Sequence, residues 1–183
     1  MKLPNQLNHK ILETYFSDPV EFEVRYIYGL KKKEPYKKFV KKINAVDDEC
    51  YDDSIFWHYQ KQRVQNILPK QLFNREITVP FGEYELTQRI DHFYDNAVVC
   101  ISPYGPPTQK AIKNLESLQL VLCGYCVEQQ DQTVLDRLEY WHLKGYKDII
   151  EKVIYPRSLI DEVMGRLKEK LIINDAQRVI VSS

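Results

Sequence analysis

The sequence contains no run of about 18 apolar residues, the length that a helix needs to cross a membrane. Its amino-terminal stretch, MKLPNQLNHKILETYF, has polar residues throughout and therefore lacks the apolar core of a secretory signal peptide. We therefore expect a cytoplasmic protein that has no membrane partner.

Cysteine is also scarce, with four residues in the chain and a single C-x-x-C pair formed by Cys123 and Cys126. The other two cysteines, Cys50 and Cys100, stand alone. Thiols of cytoplasmic proteins are reduced by default, and the pair lies inside an apolar helical pattern. Without a second pair, this pattern favours thiols buried in the core over a zinc or iron–sulfur site.

The chain has no net charge, because 26 basic residues balance 26 acidic ones. An autonomous DNA-binding domain is usually basic, so the balance argues against strong DNA affinity but not against a local basic patch. One such patch is KKKEPYKKFVKK, which contains Lys37 and Lys38 and is followed, after INAV, by DDECYDD. The stretch is either a self-neutralising connector exposed to solvent or a surface that faces phosphates.

The spacing of apolar residues predicts helices first and a sheet afterwards. Residues 1–70 are predicted to be helical, with a helix break at Ser17-Asp18-Pro19. Within residues 71–183, strands are predicted near 74–80, 84–93, 96–102 and 136–143, with a long helix near 107–127 and a closing amphipathic helix. We therefore predict a single α/β domain over residues 1–183, with a mixed central β-sheet flanked by helices.

Six segments occur in the order that is typical of one group of nucleases. They are LETYFSDPVEFEVRYIYGLK, FWHYQKQRVQNI, FGEYELTQRIDHF, VVCISPYGPPTQKAI, LQLVLCG and LEYWHLKG. Together they resemble the RecB-like branch of the PD-(D/E)XK nucleases, and most closely the AddB-type nuclease domains of double-strand-break repair. The resemblance implies a restriction-endonuclease-like core, and it implies DNA and a helicase subunit of an AddAB-like complex as partners.

The residues that carry the chemistry of that family are largely replaced. The resemblance implies that the first metal-binding carboxylate is kept as Asp91, whereas the second falls on Cys100 and the catalytic lysine on Ser102. The glutamate of the family's Q-L-x-L-E segment falls on Cys123. A thiol is a poor ligand for Mg²⁺, and a serine has no charge to stabilise the transition state. We therefore expect no tightly bound Mg²⁺ or Mn²⁺, with Asp91 as a weak ligand at most, and no DNA cleavage.

Two further features of the family have no counterpart. Some AddB-type domains hold an iron–sulfur cluster whose first cysteine precedes a proline, but here Asp18 precedes Pro19 and no cysteine follows Cys126. The resemblance is therefore to the subtype without an iron–sulfur cluster. The family's glycine-x-x-histidine helix, expected between residues 36 and 54, is missing, and His58 lies in a different segment.

Asp91 and Gln119 each allow two interpretations. Asp91 is either a remnant ligand of metal or DNA, or an aspartate at a strand end that is hydrogen-bonded near the Asp95–Asn96 turn. Gln119 lies at helical spacing from an apolar stripe of Ile112, Leu115 and Leu122, and so is expected to face inward. It is either an amide retained from the family's site or a core amide bonded to backbone.

An active enzyme would need residues that have migrated. Glu116 precedes Gln119 by three positions and would share its helical face, while Lys113 or Lys110 would reach a neighbouring phosphate. Asp91, Glu116 and Lys113 would then form a substitute site that uses Mg²⁺ or Mn²⁺. In the alternative interpretation, these are ordinary residues exposed to solvent.

Three functions are compatible with the sequence. The first is a catalytically inactive module that holds DNA, through residues such as Lys37, Lys38, Lys110 and Lys113, or docks on a helicase. The second is an active metal-dependent nuclease with migrated residues. The third is a protein–protein interaction module with no role on DNA, which the neutral net charge favours.

Overall fold

The computed structural model describes residues 3–29, 75–102, 104–144 and 149–181. The predicted helix around FWHYQKQRVQNI lies outside the described residues, and so do Lys37, Lys38, Cys50 and His58. Within the described ranges, no helix is both long and apolar enough to span a membrane.

The first described elements are short. They are β1 (Gln6–Leu7), α1 (His9–Ser17), α2 (Pro19–Phe22) and a π-helical turn (Glu23–Ile27). Asp18 caps α2, because its side chain accepts a hydrogen bond from the N–H of Glu21 at 2.9 Å, and Pro19 stands in the first turn. The predicted helix break at this place is confirmed.

Six further strands follow: β2 (Arg75–Phe81), β3 (Tyr84–Ile90), β4 (His92–Tyr94), β5 (Ala97–Ser102), β6 (Arg137–Lys144) and β7 (Ile149–Pro156). The described strands form two mixed sheets rather than one continuous sheet, in the orders β1-β3-β2 and β4-β5-β6-β7. β1 pairs with β3 and β5 pairs with β6 in parallel, and the other pairs are antiparallel. The fold class is α/β, with mixed sheets flanked by helices.

The division into two sheets begins at Asp91. The strand predicted over 84–93 is interrupted there, since Asp91 lies between β3 and β4 and only β4 pairs with β5. The Asp91 side chain turns inward, where its Oδ2 accepts a hydrogen bond from the backbone N–H of Ile101 at 3.1 Å. The strand that bears Cys100 is therefore next to Asp91, as predicted, although the two are not in one unbroken ladder.

Three helices complete the described fold: α3 (Gln109–Lys113), α4 (Gln119–Asp131) and α5 (Ser158–Val181). The long helix predicted near 107–127 is wrong, because Leu115 adopts a left-handed conformation with φ of 65° and separates α3 from α4. Glu13 stabilises the new helix start, since its Oε1 accepts a hydrogen bond from the N–H of Leu118 at 2.6 Å. The break lets both Leu115 and Leu118 enter the core.

The main core lies between the sheets and the helices, with α4 at its centre. Its Gly124 is packed so closely that an added Cβ would lie 2.7 Å from Cδ2 of Leu138 and 2.9 Å from Cδ1 of Ile160. The closing helix α5 presents the predicted apolar face to this core: Ile160, Val163, Met164, Leu167 and Leu171 are buried. A second, smaller cluster of Val99, Ile101 and Trp141 lies on the other face of the four-stranded sheet.

Candidate functional site

Three residues at positions that the resemblance assigns to acidic side chains of the family come together in the core. Asp91 lies between β3 and β4, Cys100 on β5 and Cys123 on α4, and their exposed fractions are 8%, 1% and 0%. Cys100 and the charge of Asp91 lie near enough to Cys123 to raise the pKa of its thiol. The sulfur of Cys123 further contacts the carbonyl oxygen of Arg89 at 3.6 Å. We call Asp91, Cys100 and Cys123 the carboxylate–thiol cluster.

The cluster favours a neutral thiol at Cys123. The neighbouring Cys100, burial and the negative charge of Asp91 together raise the pKa of Cys123 well above its usual value. Burial raises the pKa of Cys126, one helical turn further along α4, to about 12. Because metal ions bind thiolates rather than thiols, neither sulfur is prepared to bind a cation.

These residues do not fit the hard divalent cation that the family uses. Mg²⁺ prefers oxygen ligands in octahedral geometry, whereas the cluster has one carboxylate, which already accepts the Ile101 N–H. Across the parts of the chain that the structure describes, no three His, Cys, Asp or Glu side chains are arranged to hold a metal ion. The carboxylate–thiol cluster therefore offers no basis for a metal-dependent reaction step.

Ser102, to which the resemblance assigns the lysine position, lies at the end of β5. Its Oγ accepts a hydrogen bond from the backbone N–H of Tyr104 at 3.1 Å. Ser102 pairs with His142 of β6, which in turn pairs with Glu151 of β7. These three polar side chains therefore lie in one row on one face of the sheet.

Sequence analysis missed this row because it predicts no strand at β7. The ring nitrogen Nδ1 of His142 lies 3.4 Å from Oε2 of Glu151, so the carboxylate orients the imidazole. The signal was present in the alternating β-branched stretch IIEKVIYP, which contains Glu151. Only the strand register shows that Glu151, His142 and Ser102 are neighbours.

Gln119 is the first residue of α4 and is half-buried. The predicted stripe that joined it to Ile112 and Leu115 is wrong, because the helix break at Leu115 interrupts the periodicity. Glu13 binds the backbone at this place, since its carboxylate accepts hydrogen bonds from the N–H groups of Leu118 and Gln119. Burial raises the pKa of Glu13, and these hydrogen bonds oppose the rise.

The residues of the substitute site have separate partners. Glu116 lies in the link between α3 and α4, is exposed, and therefore does not share a helical face with Gln119 as predicted. Lys113 forms an ion pair with Glu162 of α5, with 2.8 Å between Nζ and Oε2. Asp91 is buried beside Ile101. These contacts do not join Asp91, Glu116 and Lys113 into the predicted substitute site.

Lys110 differs from Lys113. It is exposed on α3, and no ion pair with a described residue is recorded for it. Lys113 is ion-paired with Glu162, which also pairs with Arg166 at 3.2 Å. Of the two lysines, Lys110 is the one available to a phosphate.

Gln88 is a buried polar residue that sequence analysis did not single out. It is 2% exposed on β3, and its Oε1 lies 2.9 Å from Nδ1 of His9 on α1. Its Nε2 has no hydrogen-bond partner recorded in the described part of the chain. Gln88 lies two positions from Leu86 and from Ile90 on the same strand, so its side chain shares their inward face. This spacing is the sequence signal that could have identified it.

Comparison with known proteins supports the fold alone. No model of a known protein family matches this chain, and no curated protein matches it in sequence. Among solved structures, the crystal structure of SSO0001 is similar, with a TM-score of 0.51 and 16% sequence identity over 94% of this chain and 78% of that chain. At such low identity, the similarity extends to the α/β architecture and not to activity.

Proposed function

We propose that this chain is a catalytically inactive, cytoplasmic domain of the RecB-like PD-(D/E)XK type, most similar to AddB-type nuclease domains, that holds DNA or docks on a helicase subunit. One observation carries the proposal. Asp91, Cys100 and Cys123 lie in separate segments and converge in the core. The resemblance assigns the two metal-binding carboxylates to Asp91 and Cys100, and the glutamate of the Q-L-x-L-E segment to Cys123.

The chemistry of the cluster supports the loss of catalysis. Metal-dependent cleavage of a phosphodiester needs a cation that activates water and offsets charge on the phosphate. Two of the three positions carry buried thiols, and the lysine position carries Ser102, whose hydroxyl holds the following loop. Removing one electrostatic stabiliser alone typically lowers the rate by about a hundredfold to a thousandfold.

DNA contact is supported by an exposed lysine in the segment that follows β5. β5 carries Cys100 and ends at Ser102, and the chain then continues to α3, where Lys110 is exposed. Phosphate contacts through lysine need no base recognition and no net positive charge on the whole protein. A single local site is therefore compatible with the balanced composition of the chain.

The direct test is cleavage of labelled single-stranded and double-stranded DNA by the full chain with Mg²⁺ or Mn²⁺. We expect no product above the chelator control. The triple variant Cys100→Asp, Ser102→Lys, Cys123→Glu is expected to regain metal-dependent cleavage, because it restores three oxygen-bearing positions and the lysine. Cleavage by the wild-type protein that a chelator abolishes contradicts the proposal.

A matched control uses the third buried thiol of the core. Cys126 lies on α4 near Cys123 and contacts the carbonyl oxygen of Leu86 at 3.9 Å. The variant Cys100→Asp, Ser102→Lys, Cys126→Glu carries the same new charges with one of them misplaced. It is expected to stay inactive, and circular dichroism of both triple variants separates inactivity from misfolding.

A further inference from the structure

The loop that follows β5 presents an exposed aromatic ring. The Tyr104 side chain is 73% exposed, the largest exposed fraction among the bulky apolar and aromatic residues that the structure describes. Tyr104 lies two positions after Ser102, at the end of the strand that carries Cys100. The ring is therefore exposed to solvent two positions beyond Ser102, to which the resemblance assigns the catalytic lysine.

The backbone of Tyr104 is held by hydrogen bonds to side chains of the neighbouring strands. The hydroxyl of Tyr140 donates to the carbonyl oxygen of Tyr104 at 3.2 Å, and the N–H of Tyr104 donates to Oγ of Ser102 at 3.1 Å. Further along the loop, the hydroxyl of Tyr155 donates to the carbonyl oxygen of Pro107 at 2.5 Å. The loop is thus tied to β5, β6 and β7.

The two anchoring phenols stay protonated at neutral pH. Burial raises the pKa of Tyr155 to about 12, and burial also raises the pKa of Tyr140. Each hydroxyl therefore remains a hydrogen-bond donor to the loop. A ring on a fixed backbone loses little conformational freedom when it binds a partner, which is the property that makes tyrosine effective in recognition surfaces.

The chemistry around Tyr104 suits a single-stranded nucleic acid. A flat, open ring stacks on an unpaired base of any sequence, whereas the bases inside a duplex already stack on one another. Lys110, six residues further along the chain, is exposed and has no recorded ion pair with a described residue. It provides a cation that can contact a backbone phosphate. A sugar or a neutral peptide has no phosphate for it to contact.

We propose that Tyr104 is a stacking platform for an unpaired base of single-stranded DNA or RNA, and that Lys110 contacts the backbone of the same strand. The proposal rests on the DNA-holding function proposed above, and it adds the two residues that contact the strand.

The test measures binding of a fluorescein-labelled single-stranded oligonucleotide and of the matching duplex by anisotropy, with the full chain. Tyr104→Ala is expected to weaken single-strand binding by about 5-fold to 100-fold, the range for one lost base–aromatic stack. Tyr104→Phe is expected to bind as the wild type does, because the ring is kept. Tyr28, another tyrosine, is 65% exposed on a distant part of the sequence, and Tyr28→Ala serves as the matched control without effect.

A second readout reports stacking itself. An oligonucleotide with 2-aminopurine at successive positions is expected to lose fluorescence at one position when the wild type or Tyr104→Phe binds, and to keep it with Tyr104→Ala. Wild-type binding that Tyr104→Ala leaves unchanged overturns this inference while the DNA-holding function stands. Equal affinity for the duplex overturns the preference for a single strand. No binding of either nucleic acid by the wild type overturns both the inference and DNA holding.

Discussion

The carboxylate of Asp91 accepts a hydrogen bond from the backbone N–H of Ile101, with 3.1 Å between Oδ2 and the nitrogen. This bond ties the break between β3 and β4 to β5. It also satisfies a charged group that is only 8% exposed, in a place where the resemblance implies a metal ligand. Asp91 therefore has a structural role whether or not a cation ever binds there.

The first prediction concerns that bond. Asp91→Ala is expected to lower the free energy of unfolding by about 1–3 kcal/mol, because the N–H of Ile101 stays buried without its acceptor. Asp91→Asn keeps an acceptor oxygen and is expected to lose less. Urea denaturation measures both, with Asp131→Ala at the exposed end of α4 as the neutral control. An Asp91→Ala protein as stable as the wild type contradicts this role.

The second prediction concerns the buried carboxylate of Glu128 on α4. Arg157 donates to it from both Nε at 2.9 Å and Nη2 at 2.8 Å, and the N–H of Leu135 donates at 2.9 Å. Arg157→Ala is expected to cost about 3 kcal/mol, since it leaves a buried charge without its main partner. Adding Glu128→Gln to that variant is expected to recover part of the loss. A double-mutant cycle by chemical denaturation checks this, and purely additive effects would count against the pair.

The third prediction concerns acid stability and Glu139, which is 3% exposed. Burial would raise the pKa of Glu139, but hydrogen bonds from Trp141, Arg137 and Tyr94 outweigh it and lower the pKa below the usual value. A lowered folded-state pKa contributes stability above the unfolded-state value of about 4.5, and this contribution is lost as the pH falls through the folded-state value. Glu139→Gln is expected to flatten the fall of the melting temperature below about pH 4.5. A parallel curve for the variant and the wild type would refute the assignment.

The fourth prediction separates the two lysines of α3. Lys110→Ala is expected to reduce the slope of log affinity against log salt for a single-stranded oligonucleotide by about 0.7, the value for one lost phosphate contact. Lys113→Ala is expected to leave the slope nearly unchanged, because Glu162 already compensates that charge at 2.8 Å. Anisotropy titrations over a range of salt concentrations provide the measurement. Equal slopes for both variants would exclude Lys110 as the contact.

Much of the local structure followed from the amino-acid pattern. The cap at Asp18, the strands around β2, β3 and β5, and the buried face of α5 rest on neighbours within a few positions of each other. Such features depend on periodicity and turn chemistry, which the order of residues alone specifies. The meeting of β5 with the Asp91 strand break also followed, because these segments are consecutive and joined by a short turn.

Other features depend on partners that are distant in the chain. The helix break at Leu115 needs the carboxylate of Glu13 as a cap, and that residue lies 105 positions from the Leu118 N–H it binds. The row of Ser102, His142 and Glu151 exists only because β6 lies between β5 and β7 in one register. The local sequence around each of these residues carries no sign of its distant partner. Tertiary packing decides such contacts, since a buried hydrogen bond or a strand pair is set by the free energy of the whole fold and not by its own segment.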